Sequence, residues 1–208
     1  MLTEPLVRTG ARVVVLERDP SLVEELRTRF ADTAEVLFAD AARHPWPAEP
    51  FAVVANLPFQ QSGAILGHLL RDPRVPLQTA LVVVEWHAGA KHAAVWPATL
   101  RSTYWRAWHD LTIVRRLART AFSPPPHVDA AVLRFDRRAE PRVPVDDHRA
   151  YWEFLTAAFA ARGPVRRGVR PALSPLEVKR LAPALGFAPD AFPRDLDASQ
   201  WAALFAAR

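Results

Sequence analysis

A chain of 208 residues with a formal charge of +5 fits one domain of ordinary size plus a small appendage. Half of its residues are apolar and 24% are charged, which excludes disorder throughout. It has no run of about 18 apolar residues that would read as a membrane span, and the absence of cysteine excludes a disulfide framework or a thiolate metal site. The segment from Met1 to Thr9 carries Glu4 and Pro5 and lacks the basic start and apolar stretch of a secretory signal, so a cytoplasmic location is expected. Lys91 and Lys179 are the only lysines, and the other basic residues are arginines. With a pI near 10.6, that balance favours polyanions, whose phosphate oxygens suit the arginine fork.

The elements are taken in chain order. Ala11 to Glu17 is a short β-branched run and reads as a buried strand, with Gly10 before it as a helix C-cap. Asp19 caps a helix that Pro20 opens, with Leu22, Val23 and Leu26 on its apolar face. Ala34 to Ala39, Phe51 to Ala55 and Thr79 to Val84 read as further strands, and Ser62 is expected to cap a helix running to Leu70. Leu111 to Val114 and Ala130 to Phe135 read as late strands that can form a hairpin around the proline-rich Ser123 to Pro126. Strands alternating with helices predict a parallel α/β sheet. From Asp136 to Asp147 the chain is charged and proline-bearing, and beyond it only helical patterns follow. Asp147 to Ala161 forms one helix with Tyr151, Phe154, Leu155, Ala158 and Phe159 inward, Ser174 and Glu177 form a capping box, and Asp197 caps a last helix bearing Trp201, Leu204 and Phe205. The expected organisation is an α/β domain over residues 1–138 and a helical domain over 139–208.

Three short features follow one another at strand ends. Glu17 ends the first strand, where an acid accepts hydrogen bonds from ribose hydroxyls in dinucleotide-type folds or is simply solvated. Asp40, after the second, can accept from an adenine amine or cap the following turn. Asn56-Leu57-Pro58-Phe59 follows the third. The exocyclic amine of adenine is a poor nucleophile because its lone pair is delocalised into the ring. A side-chain amide oxygen from Asn56 and the Leu57 carbonyl, accepting its two N–H bonds, favour a tetrahedral nitrogen and free the lone pair for in-line attack on a methyl sulfonium. Pro58 stiffens the loop and Phe59 offers a ring face to an extruded base. The same four residues also make an ordinary turn.

These features, with Leu2-Thr3-Glu4-Pro5-Leu6 and Phe122-Ser123-Pro124-Pro125-Pro126-His127-Val128-Asp129-Ala130, resemble the rRNA adenine-N6 methyltransferases over residues 2 to about 135. That family comprises the erythromycin-resistance enzymes and the related small-subunit rRNA dimethyladenosine transferases. The resemblance implies a Rossmann-like, S-adenosylmethionine-dependent methyltransferase sheet with a small all-helical C-terminal domain. It implies that Glu17 holds the cofactor ribose with Arg18 beside the adenine, and that Asp40 takes the adenine amine with backbone from Ala41. Asn56 to Phe59 would form the catalytic loop, with Asn56 also next to the cofactor, and Phe122 would stack on the flipped base opposite Phe59. No metal is implied. The implied reaction is methylation of an adenine in 23S rRNA by a monomer, which in that family confers macrolide, lincosamide and streptogramin B resistance. The alternatives are the small-subunit rRNA enzyme and a non-catalytic RNA-binding remnant.

Two departures stand out. Val83 stands two residues before Glu85, where the family has glutamine. Only Met1 precedes Leu2, where the family carries a first strand and a G-x-G-x-G cofactor loop. A truncated start is therefore expected, with two strand edges left unpaired, weak cofactor binding and no activity in the chain as written. The histidines show no metal-ligand spacing. Trp86, Trp96, Trp105 and Trp108 are read as core or domain packing before base stacking. Arg162, Arg166, Arg167 and Arg170 lie in a helix-poor stretch, as a solvated loop or an rRNA backbone contact.

Overall fold

The computed structural model describes residues 2–208, and Met1 lies outside them. The short helix α1 (Thr3–Val7) ends at Gly10, whose φ of 77° turns the chain into β1 (Val13–Glu17). Asp19 accepts the Ser21 N–H at 2.9 Å and opens α2 (Pro20–Arg29) with proline at its first position. Val23 and Leu26 are buried as expected, whereas Leu22 is exposed, because the stripe that meets the sheet is too narrow to include it. β1 pairs in parallel with β2 (Ala34–Phe38), with Glu17 opposite Phe38.

A second sheet contains β3 (Phe51–Asn56), β4 (Leu77–Glu85), β5 (His109–Leu117) and β6 (Ala130–Arg137), in the order β3-β4-β6-β5. β3 and β4 are parallel and are joined through α3 (Ser62–Leu69). β6 runs antiparallel to both neighbours, so the sheet is mixed and not parallel throughout. The cause is the connection: residues 118–129 hold only a 3-10 turn and no crossover helix, so the chain must return in the opposite direction. Between β4 and β5 lie α4 (Trp86–Ala93) and α5 (Leu100–Trp105). Ser62 does not cap α3. It is the first helical residue, and its hydroxyl donates back to the Phe59 carbonyl at 2.9 Å.

Among the described residues the two sheets share no ladder: β1 pairs only with β2 and β3 only with β4, and Val14 and Val54 on those strands are 41% and 37% exposed. The small sheet has its own core of Val23, Leu26, Phe30 and Val36. A larger apolar cluster joins the four-stranded sheet to the C-terminal helices α6 (His148–Ala160), α7 (Val165–Gly168), α8 (Pro175–Ala184) and α9 (Ala198–Ala206). Tyr151, Leu155, Trp201 and Leu204 are fully buried there. Trp105 and Trp108 belong to this core, and the Trp108 indole N–H donates to the Val143 carbonyl at 2.9 Å. Trp96 is exposed, yet it donates to the Asp195 carbonyl at 3.0 Å and so also serves packing between sheet and tail. Ser174 and Glu177 form the expected capping box, and Asp197 caps α9 as expected, with Gln200 completing a further box. Among the described residues, no helix is long and apolar enough to cross a membrane.

Candidate active site

Parallel pairing of β1 with β2 brings Glu17 and Asp40 together. The Ala39 N–H donates to the Glu17 carbonyl at 2.8 Å, so the two strand ends leave the small sheet side by side. Glu17 Oε1 accepts the N–H groups of Arg18 and Asp19 at 2.7 and 2.9 Å, which fixes the carboxylate over its own turn, and among the described residues Oε2 has no partner. Asp40 Oδ1 accepts the Ala42 N–H at 2.8 Å. It therefore does cap the following turn, while Oδ2 is left over. Two carboxylate oxygens at neighbouring strand ends are acceptors suited to a vicinal diol and an amine, so these residues fit the nucleoside half of S-adenosylmethionine. Arg18 is exposed and Ala41 half-buried beside them.

Asn56 is the last residue of β3, paired with Val83 of β4. The Leu57 N–H donates to the Val83 carbonyl at 3.1 Å, and the Leu57 side chain is buried, so the loop is anchored from beneath. The Pro58 carbonyl accepts the N–H groups of Gln61 and Ser62, both at 2.9 Å, and leads into α3. Among the described residues, neither the Asn56 side-chain amide nor the Leu57 carbonyl has a hydrogen-bond partner. Asn56 is exposed and Phe59 half-buried, its ring unpaired with any other aromatic ring.

Phe122 lies on the β5–β6 connection. Glu85 of β4 and Leu117 of β5 both pair with Ala130, so this connection leaves the same end of the sheet as Asn56 to Phe59. Phe122 is half-buried, and its N–H donates to the Arg119 carbonyl at 3.3 Å. Asp129, near the end of the motif, holds Arg116 and the Arg119 N–H. Sequence reasoning missed Arg116, and it read Trp86 only as packing, not as the partner of Arg116. Asp129 stood in a legible motif, but nothing local links it to residues 13 and 43 positions away. Among the described residues, no hydrogen bond joins the Glu17–Asp40 pair to the Asn56 loop. Arg162, Arg166, Arg167 and Arg170 are all exposed around α7, a short helix where the sequence predicts little helix.

The chain belongs to the ribosomal RNA adenine dimethylase family, whose model matches residues 1–178. It is 31% identical over 210 residues to the mycinamicin-resistance protein MyrB of Micromonospora griseorubida, covering 98% of this chain and 65% of that protein. It spans less than two thirds of that relative's length. It is 34% identical to the ribosomal RNA small subunit methyltransferase A of Rhodococcus opacus, covering 99% of this chain and 75% of that one. The crystal structure of the 23S rRNA methyltransferase ErmE superposes with a TM-score of 0.85 at 25% identity, covering 99% of this chain and 85% of ErmE.

Proposed function

We propose that this protein methylates N6 of an unstacked adenine in 23S rRNA, using S-adenosylmethionine. The observation that carries this reading is the pair of unpartnered acceptors, Asn56 Oδ1 and the Leu57 carbonyl, on a loop anchored by buried Leu57 and stiffened by Pro58. The cofactor supplies an electrophilic methyl group on a sulfonium. Asn56 and Leu57 accept the two N–H bonds of the target amine and hold its nitrogen in the tetrahedral geometry that exposes the lone pair. Phe59 and Phe122 provide ring faces for the flipped base. Glu17 Oε2 takes the ribose hydroxyls and Asp40 Oδ2 the adenine amine, with Arg18 and Ala41 beside them. Similarity to ErmE, a 23S rRNA methyltransferase, supports the large-subunit target. Similarity to the Rhodococcus opacus protein supports a small-subunit rRNA target as the second reading, and primer extension on both rRNAs separates the two.

Asn56→Ala is expected to lower methyl transfer at saturating cofactor by about 100-fold or more, while RNA affinity stays within about two-fold. Turnover near the parent's would refute the assignment. Calorimetry with S-adenosylmethionine tests the cofactor reading of Glu17 and Asp40, and a complete absence of binding favours a non-catalytic RNA-binding remnant.

A further inference from the structure

The connection from Ala118 to Asp129 contains one 3-10 turn, Arg119–Ala121, and three consecutive prolines, which lack backbone donors. It therefore depends on its two ends for order, and the Asp129 carboxylate, itself gripped by Arg116, ties them together. Arg116, near the end of β5, lays its guanidinium over the Trp86 ring with Cζ 4.5 Å from the ring centroid. Its Nε and Nη2 donate to Asp129 Oδ2 at 3.0 and 2.8 Å. Asp129 Oδ1 accepts the Arg119 N–H at 3.0 Å, and the Asp129 carbonyl accepts the Trp86 N–H at 2.9 Å. These donors hold the Asp129 carboxyl below the usual carboxylate range, Arg119 N–H first and the Arg116 guanidinium second. The circuit closes on β4, whose Val83 carbonyl also anchors the Asn56 loop through the Leu57 N–H.

An exposed ion pair alone contributes little, and the Arg116 side chain is 58% exposed. Here the planar fork is fixed on one face by an indole and along its edge by a carboxylate that also ties the first turn of the segment. We infer that Arg116 is a positioning residue: held between the Trp86 ring and the Asp129 carboxylate, it sets the 118–129 segment, and Phe122 with it, at the sheet end that bears the Asn56 loop. The inference rests on the methyl-transfer reading and names the residue that orders the base-facing side of that site.

Three variants test it on the whole chain. Arg116→Met keeps an aliphatic stem over Trp86 and removes the fork, and Arg116→Lys keeps the charge without the fork. Asp129→Asn, nearly isosteric, serves if Arg116→Met fails to fold. Hydrogen exchange read by mass spectrometry is expected to speed up about ten-fold in peptides covering 117–130, with β3, β4 and β6 unchanged. At saturating cofactor, kcat is expected to fall about ten-fold or more in both Arg116 variants, with the KM for RNA and the salt dependence of RNA binding at parental values. Unchanged exchange in 117–130 overturns the inference, as does faster exchange across the whole sheet. A salt slope smaller by about 0.7 overturns it too, by making Arg116 a phosphate contact. If the parent chain transfers no methyl group at saturating cofactor, the methyl-transfer reading fails, and the exchange result alone decides the role of Arg116.

Discussion

His92 and His109 are held as neutral imidazoles, and this gives the fold a pH limit. Burial pushes both down from 6.5 to about 4, aided by Arg101 and Lys91 near His92 and by Arg137 near His109. His92 lies 4.9 Å from the Trp105 ring, and neither His92 Nδ1 nor His109 Nε2 has a partner that could share a charge. A folded pKa below the unfolded one means that the unfolded chain binds more protons between pH 6.5 and 4. The stabilisation is complete above 6.5 and is lost as pH falls towards 4, with a slope of up to about 1.4 kcal/mol per pH unit for each histidine. The Asp72 carboxyl is lowered to about 2, mainly by its hydrogen bond from Arg74, and stays ionised throughout that window. Urea unfolding at pH 7.5, 6 and 5 is therefore expected to show falling stability, and a flat profile would mean these imidazoles do not titrate on unfolding. Local polar pairings of this scale were legible in the sequence: Asp19, Ser174 and Asp197 cap as their spacing predicts. Ser62 does not, because its hydroxyl finds the Phe59 carbonyl in place of a helix N–H.

At the scale of elements, the close approach of α4 to the sheet depends on Gly89. A Cβ added there would sit 2.6 Å from Ala131 Cβ and 3.3 Å from Val84 Cγ2, both on strands that cannot give way. Replacing glycine by alanine inside a helix ordinarily stabilises by about 1 kcal/mol. At Gly89 the overlap reverses the sign, and Gly89→Ala is expected to destabilise by about 1–3 kcal/mol. Gly67 in α3 is the control: its nearest neighbour is the flexible end of Arg101 at 4.0 Å, so Gly67→Ala should be neutral or mildly stabilising. Chemical denaturation of the two variants checks the contrast, and equal effects would refute it. The strands themselves were legible, because β-branched runs such as Val13 to Val15 and Val82 to Val84 carry their own preference. The antiparallel turn from β5 into β6 was legible as a hairpin around Ser123 to Pro126, but the insertion of β6 between β4 and β5 was not, since position in the sheet is decided by which strand edge is free. The candidate site divides in the same way. The Asn56 loop and the Phe122 to Ala130 block are contiguous and stand out as motifs, whereas Arg116 meets Trp86 across 30 residues of chain that no local pattern spans.

The whole molecule consists of a two-stranded unit on a small core and a four-stranded sheet that shares a larger core with the C-terminal helices, under a net charge of +5. Much of the arginine is structural. Arg137 donates to the carbonyls of Pro73 and Val75, Arg106 to that of Ala93, and Arg142 to that of Arg106, so these guanidiniums are engaged within the fold. Arg162, Arg166, Arg167 and Arg170 differ: all four are exposed on and around α7, and among the described residues none is ion-paired. Unpaired guanidiniums on one short stretch suit the phosphates of an RNA strand, and each phosphate neutralised releases condensed counterions. RNA affinity is therefore expected to fall steeply as salt rises. The double variant Arg166→Ala, Arg167→Ala should weaken binding across RNA sequences and reduce the magnitude of the slope of log K against log salt by about 1.4, if each arginine meets one phosphate of a single strand. Filter binding or fluorescence anisotropy at several salt concentrations measures both quantities. A salt-independent dissociation constant would refute phosphate-driven binding altogether. An unchanged slope in the double variant would leave α7 a solvated surface and move the RNA contact to other arginines.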